Sequence, residues 1–74
     1  MDMRRRVGLN LKRLREAREL SQEELAFSCG LHRTYVSGIE RGVRNPTVKV
    51  LERIAKALEV PTARLLDEHN PVEA

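Results

Sequence analysis

The chain predicts an all-α fold of five short helices in a single domain. Apolar residues recur at three- and four-residue spacing, strand-like alternation is missing, and Ser, Gly and Pro-Thr signals cut the chain into short segments. Seventy-four residues suffice for one small core.

The first helix is expected over positions 4–19. Val7, Leu11 and Leu14 form its apolar stripe, with Arg4, Lys12, Arg13, Arg15 and Arg18 on its other sides. Ser21 and Glu24 make an S-x-x-E capping box, so a second helix starts at about Gln22. Gly30 can take the left-handed conformation that ends it, and Leu31 plugs the turn. A third helix runs from about Arg33 to Arg41, with His32 as a mediocre N-cap and Gly42 as the stop. After the polar loop 42–46, Pro46 and Thr47 announce a fourth helix whose apolar face is Val48, Leu51, Ile54, Ala55 and Leu58. Pro61 and Thr62 restart the chain as a fifth helix, about Ala63 to Glu68. The tail 69–74 is expected to fray.

The informative stretch is Gln22 to Arg41. Ala26 is small enough to let the second and third helices cross closely, and Gly30 permits the tight turn between them. Val36 and Ile39 face inward, which leaves Arg33, Thr34 and Ser37 on one outward side of the third helix. An ordinary helical hairpin is the bland alternative. The short turn and the polar outward face favour a helix-turn-helix that reads DNA. Arg33 can bond guanine O6 and N7 in bidentate fashion, and Thr34 can offer a hydroxyl or a methyl group to a base edge.

Charge agrees with that reading. The net charge is +3, but positions 1–46 carry ten Lys/Arg against six Asp/Glu, whereas positions 47–74 carry four against five. The surplus lies with the reading helix, as a phosphate-backbone partner requires. No apolar run approaches the roughly 20 residues that span a bilayer, so no membrane partner is expected. The first residues have no apolar segment behind them, so a secretory signal is not expected, and a cytoplasmic protein is the natural inference. Cys29 is the single cysteine. It can form neither an internal disulfide nor a cysteine zinc site, and it reads as a small buried hydrophobe. There is no carboxylate pair in a cleft, no phosphate-cradling glycine loop and no metal-ligand cluster, so no enzyme, cofactor or small-molecule ligand is expected.

Residues 7–66 resemble the Cro/phage-repressor-like (XRE) helix-turn-helix family. The segments that carry the likeness are LSQEELA (20–26), GL (30–31), YVSGIERG (35–42), RNPT (44–47) and LERIAKALEV (51–60). The wording RTYVSGIERGVRNPT also looks like the controller proteins of restriction–modification systems. The resemblance implies a five-helix, lambda-repressor-like DNA-binding domain that dimerises and places its third helix in the major groove. Arg33, Thr34 and Ser37 match base-facing positions. Gln22 matches one that holds a phosphate and braces the reading helix, and Arg41, Arg44 and Asn45 match backbone-gripping ones. Tyr35 can place its hydroxyl on a phosphate or pack sideways. Glu40 matches a position that pairs internally with a first-helix arginine, here Arg15. His32 departs from the usual capping Ser or Thr, and Glu59 stands where a Gly commonly ends the fourth helix.

The implied partner is a palindromic double-stranded operator bound by a homodimer, with two reading helices roughly 34 Å apart. Val60, Leu65 and Leu66 are candidates for the two-fold contact, although Leu65 could equally close the monomer core. A repressor or autoregulatory controller is expected. The competing reading is a helical protein-binding adaptor or antitoxin-like module.

Overall fold

Twelve apolar side chains, from Val7 to Leu65, form one core, and each helix exists to bury a stripe of it. The computed structural model describes residues 2–68. It contains four α-helices, α1 (Met3–Ala17), α2 (Gln22–Cys29), α3 (Arg33–Glu40) and α4 (Val48–Leu58), followed by a 3-10 turn, Thr62–Leu66. The described residues include no strand. Helix α1 packs on α3 and on the 3-10 turn, α2 on α3 and α4, and α4 on the turn. The expected tail, 69–74, lies outside the described residues.

The fifth helix is the main correction: the segment is a five-residue 3-10 turn. Its physical reason lies across the core. The buried Asn10 amide donates to the Leu65 carbonyl at 3.0 Å and to the Asp67 carbonyl at 2.7 Å. Those bonds hold both carbonyls toward Asn10, and the chain leaves helical geometry at Asp67, with φ −56° and ψ 137°. Leu65 is fully buried in the monomer and Leu66 is 41% exposed, while Val60 is half-buried against the core. Of the three dimer candidates, Leu65 is therefore a core residue of the single chain. Val48 is a second correction. It is 71% exposed, so the apolar face of α4 begins at Leu51, with Val50 packed at its edge, and the first residue of the helix lies outside the core.

Helix ends explain the remaining boundaries. Ser21 accepts from the Glu24 N–H at 3.0 Å while the Glu24 carboxylate accepts from the Ser21 N–H at 2.8 Å, a closed capping box. Thr47 caps α4 by accepting from the Val50 N–H. All four helices end in the same way, with a left-handed residue whose N–H and that of its successor return to the last turn. Those residues are Glu19, Gly30, Gly42 and Glu59, with φ between 57° and 77°. The paired bonds include Leu20 N–H to Arg15 O, Leu31 N–H to Ala26 O, Val43 N–H to Gly38 O and Val60 N–H to Ala55 O. Helix α1 stops two residues before its expected end because Glu19 takes this role. Glu59 does the same for α4 in place of a glycine, and its carboxylate meets Arg18 at 2.6 Å.

Candidate nucleic-acid interface

Gly30 (φ 68°) turns the chain between α2 and α3, and Arg53 of α4 fastens the turn. The Arg53 guanidinium donates to the Cys29 carbonyl at 2.6 Å and to the Gly30 carbonyl at 3.1 Å. Those carbonyls end α2, where a cation also meets the negative pole of the helix dipole. Leu25, Ala26 and Cys29 on α2 and Val36 and Ile39 on α3 are all buried. The angle between the two helices is thus set by small and aliphatic contacts and locked from α4.

An ion-pair cluster braces α3 from the other side. Arg15 donates from Nε to Glu40 Oε2 at 2.6 Å and from Nη2 to Glu40 Oε1 at 3.1 Å, and its Nη1 donates to the Leu20 carbonyl at 2.6 Å. Gln22 Nε2 adds a bond to Glu40 Oε1 at 3.0 Å. Both charged side chains are nearly sheltered from solvent, at 10% and 5% side-chain exposure. The Glu40 hydrogen bonds raise the Arg15 pKa above its usual value, outweighing desolvation. Three elements therefore meet on one carboxylate: α1, the start of α2 and the end of α3.

With one face of α3 buried and its end clamped, the opposite face is free. Arg33 and Thr34 are exposed and Ser37 is partly exposed. None of the three has a side-chain hydrogen bond or ion pair among the described residues. His32 provides no side-chain cap, so the first N–H groups of α3 lack a side-chain partner. Arg41, Arg44 and Asn45 are exposed at the far end of the helix and in the loop after it. Tyr35 is half-buried and packs against the core. Gln22 sits at the edge of this surface, partly exposed, with its amide already donated to Glu40.

One determinant escaped the sequence reading. Gly38 is buried in the middle of α3, where glycine is otherwise about 1 kcal/mol worse than alanine. A Cβ there would lie 2.5 Å from Arg44 Cγ. The Arg44 stem crosses the helix at that point, while its backbone N–H bonds the Gly38 carbonyl at 3.2 Å. The only signal was a glycine inside a short helix, followed six residues later by an arginine. Cys29 is buried, donates Sγ–H to the Leu25 carbonyl, and has its thiol pKa pushed up by burial. No group of three or more His, Cys, Asp or Glu is placed to hold a metal ion among the described residues. No helix among them is long and apolar enough to cross a membrane.

Comparison with known proteins places this geometry. A helix-turn-helix family model (HTH_3) matches residues 11–65. Control protein C.BamHI of Bacillus amyloliquefaciens is 49% identical over 61 residues, covering 81% of this chain and 75% of that protein. Control protein C.SmaI of Serratia marcescens is 42% identical over 66 residues, covering 89% and 79%. The crystal structure of the restriction-modification controller protein C.AhdI from Aeromonas hydrophila is similar with a TM-score of 0.82 at 44% identity, over 84% of this chain and 94% of that one. The chain belongs to the helix-turn-helix family (HTH_3), whose matching members include transcriptional regulators and restriction-modification control proteins.

Proposed function

We propose that the protein is a sequence-specific double-stranded DNA-binding transcription regulator. It binds a palindromic operator as a homodimer, with α3 in the major groove, and acts as a repressor or autoregulatory controller. The observation that carries this reading is the contrast on α3: one end is clamped by the Arg15–Glu40–Gln22 cluster, while Arg33 and Thr34 stand exposed and unpaired. A rigid helix with free donors at its N-terminal end suits base reading, because donors held in place lose little entropy on binding. Arg33, Thr34 and Ser37 are the base-reading residues. Gln22, Tyr35, Arg41, Arg44 and Asn45 grip the backbone. The likeness to control proteins supports the autoregulatory form of this reading. Val60 and Leu66, the candidates that keep surface in the single chain, form the two-fold contact.

Duplex binding measured at rising salt tests the proposal against a protein-binding adaptor. Each phosphate neutralised contributes about −0.9 to the slope of log affinity against log salt. Several basic contacts per protomer therefore predict a steep negative slope, together with selection of a two-fold symmetric site. Weak, salt-insensitive association with every duplex offered would remove the DNA-reading function.

A further inference from the structure

We infer that the cleft between the first turn of α1 and the C-terminal end of α3 seats a DNA backbone phosphate, held by Arg5 and Arg41; this rests on the DNA-binding function proposed above. The cleft measures about 230 Å³ and is lined by Asp2, Arg5, Leu9, Glu40, Arg41 and Gly42. Its two carboxylates are already engaged. Asp2 accepts from the backbone N–H groups of Arg4 and Arg5 and pairs with the Arg4 guanidinium, and Glu40 is held by Arg15 and Gln22. Arg5 and Arg41 have no ion pair among the described residues. With Arg4 and Arg15 neutralising the two acids, the lining keeps two uncompensated positive charges.

Backbone geometry holds them together. A Cβ on Gly8 would meet the Ile39 and Glu40 carbonyls at 2.4 and 2.7 Å, so α1 lies directly on the end of α3. Gly42 does the same for Arg5, whose Cγ would be 3.0 Å from a Cβ there. The cleft is continuous with Arg41 and the loop that carries Arg44, so it extends the proposed interface on to α1. Two guanidinium groups around one opening suit a phosphodiester, which accepts charge-assisted bonds from both. Such a contact sets position on the duplex and carries no sequence information.

The test compares wild-type protein with Arg5→Ala and Arg5→Lys in duplex competition across a salt series, with circular dichroism as a control on folding. Arg5→Ala should weaken cognate and random duplex alike, by about three- to tenfold. It should reduce the salt slope by about one phosphate per protomer and leave the ratio between the two duplexes unchanged; Arg5→Lys should keep most of the affinity. Binding and slope equal to wild type in Arg5→Ala would overturn the inference and leave the regulator function standing. A wild type that binds no duplex would end both. A parallel NMR titration should shift the Arg5 and Arg41 Nε–H signals with duplex. Equal shifts with inorganic phosphate at the same ionic strength would point to a free-anion site and also overturn the inference.

Discussion

Arg15 commits every guanidinium nitrogen to the molecule itself, whereas Arg33 commits none among the described residues. That difference separates a structural arginine from one proposed to read bases, and it makes opposite predictions. Glu40→Ala leaves a sheltered Arg15 without its partner and should cost roughly 3 kcal/mol in a denaturant melt. The double variant Arg15→Met/Glu40→Leu should recover much of that loss. A single variant as stable as wild type would show that the cluster does not hold α3. Arg33→Ala should leave the melt unchanged and remove about 1–3 kcal/mol of discrimination between cognate and random duplex. The Arg15–Glu40 pairing could be suggested only by resemblance, because two charges 25 positions apart carry no local signal. The Gly38–Arg44 crossing had even less to announce it, since mid-helix glycine reads first as a defect. By contrast the exposed placement of Arg33 and Thr34 follows from the spacing of Val36 and Ile39 alone.

Helix termini were the most legible features of the chain and also the source of its errors. The capping box of α2 stands in the sequence as Ser21 and Glu24, and the structure closes it. Hydrogen bonds to its carboxylate hold the Glu24 pKa below the usual value, as backbone bonds do for Asp2 at the start of α1. A carboxylate with a lowered folded pKa adds stability that is complete above its unfolded pKa and disappears as pH falls through the folded one. Unfolding free energy should therefore decline as pH drops below about 4.5, the ordinary glutamate value. Glu24→Gln, which keeps a capping side chain but cannot titrate, should flatten part of that decline; an unaltered pH profile would contradict the assignment. Glu59 is a non-glycine residue in the left-handed region, where an L side chain costs about 1 kcal/mol. Its ion pair with Arg18 is exposed and returns little of this. Glu59→Gly should thus raise stability by roughly 1 kcal/mol, whereas Gly30→Ala should lower it, since φ 68° strains an L side chain and a Cβ there pushes the Arg53 guanidinium off the carbonyls it caps. The 3-10 turn was illegible because its cause, Asn10, lies 55 positions away and carries no local helix-stop signal.

At the scale of the molecule, the chain buries its apolar residues in one core and keeps a short list outside it. Within the 3-10 turn Leu65 is buried in the core while Leu66 keeps surface, as Val60 just before the turn does in part, which separates two roles the sequence could not divide. Leu66→Glu should dissociate the proposed homodimer in sedimentation experiments while each chain stays helical. Leu65→Ala should instead unfold it, at a cost of about 2–5 kcal/mol typical of a fully buried leucine. Sedimentation of Leu66→Glu equal to that of the wild type would contradict the proposed two-fold contact at Val60 and Leu66. Part of the basic surplus of the first 46 residues, Arg5 and Arg41, lines the cleft between the α1 start and the end of α3.

Selection of bound sequences from a random duplex pool, run in parallel with wild-type protein and Arg33→Ala, addresses the central claim most directly. The wild type should enrich a palindrome whose half-sites lie about one turn of DNA apart, and Arg33→Ala should lose enrichment at one symmetric pair of base positions while still binding duplex. The same palindrome enriched to the same degree by both proteins, or no enrichment by the wild type, would contradict the account.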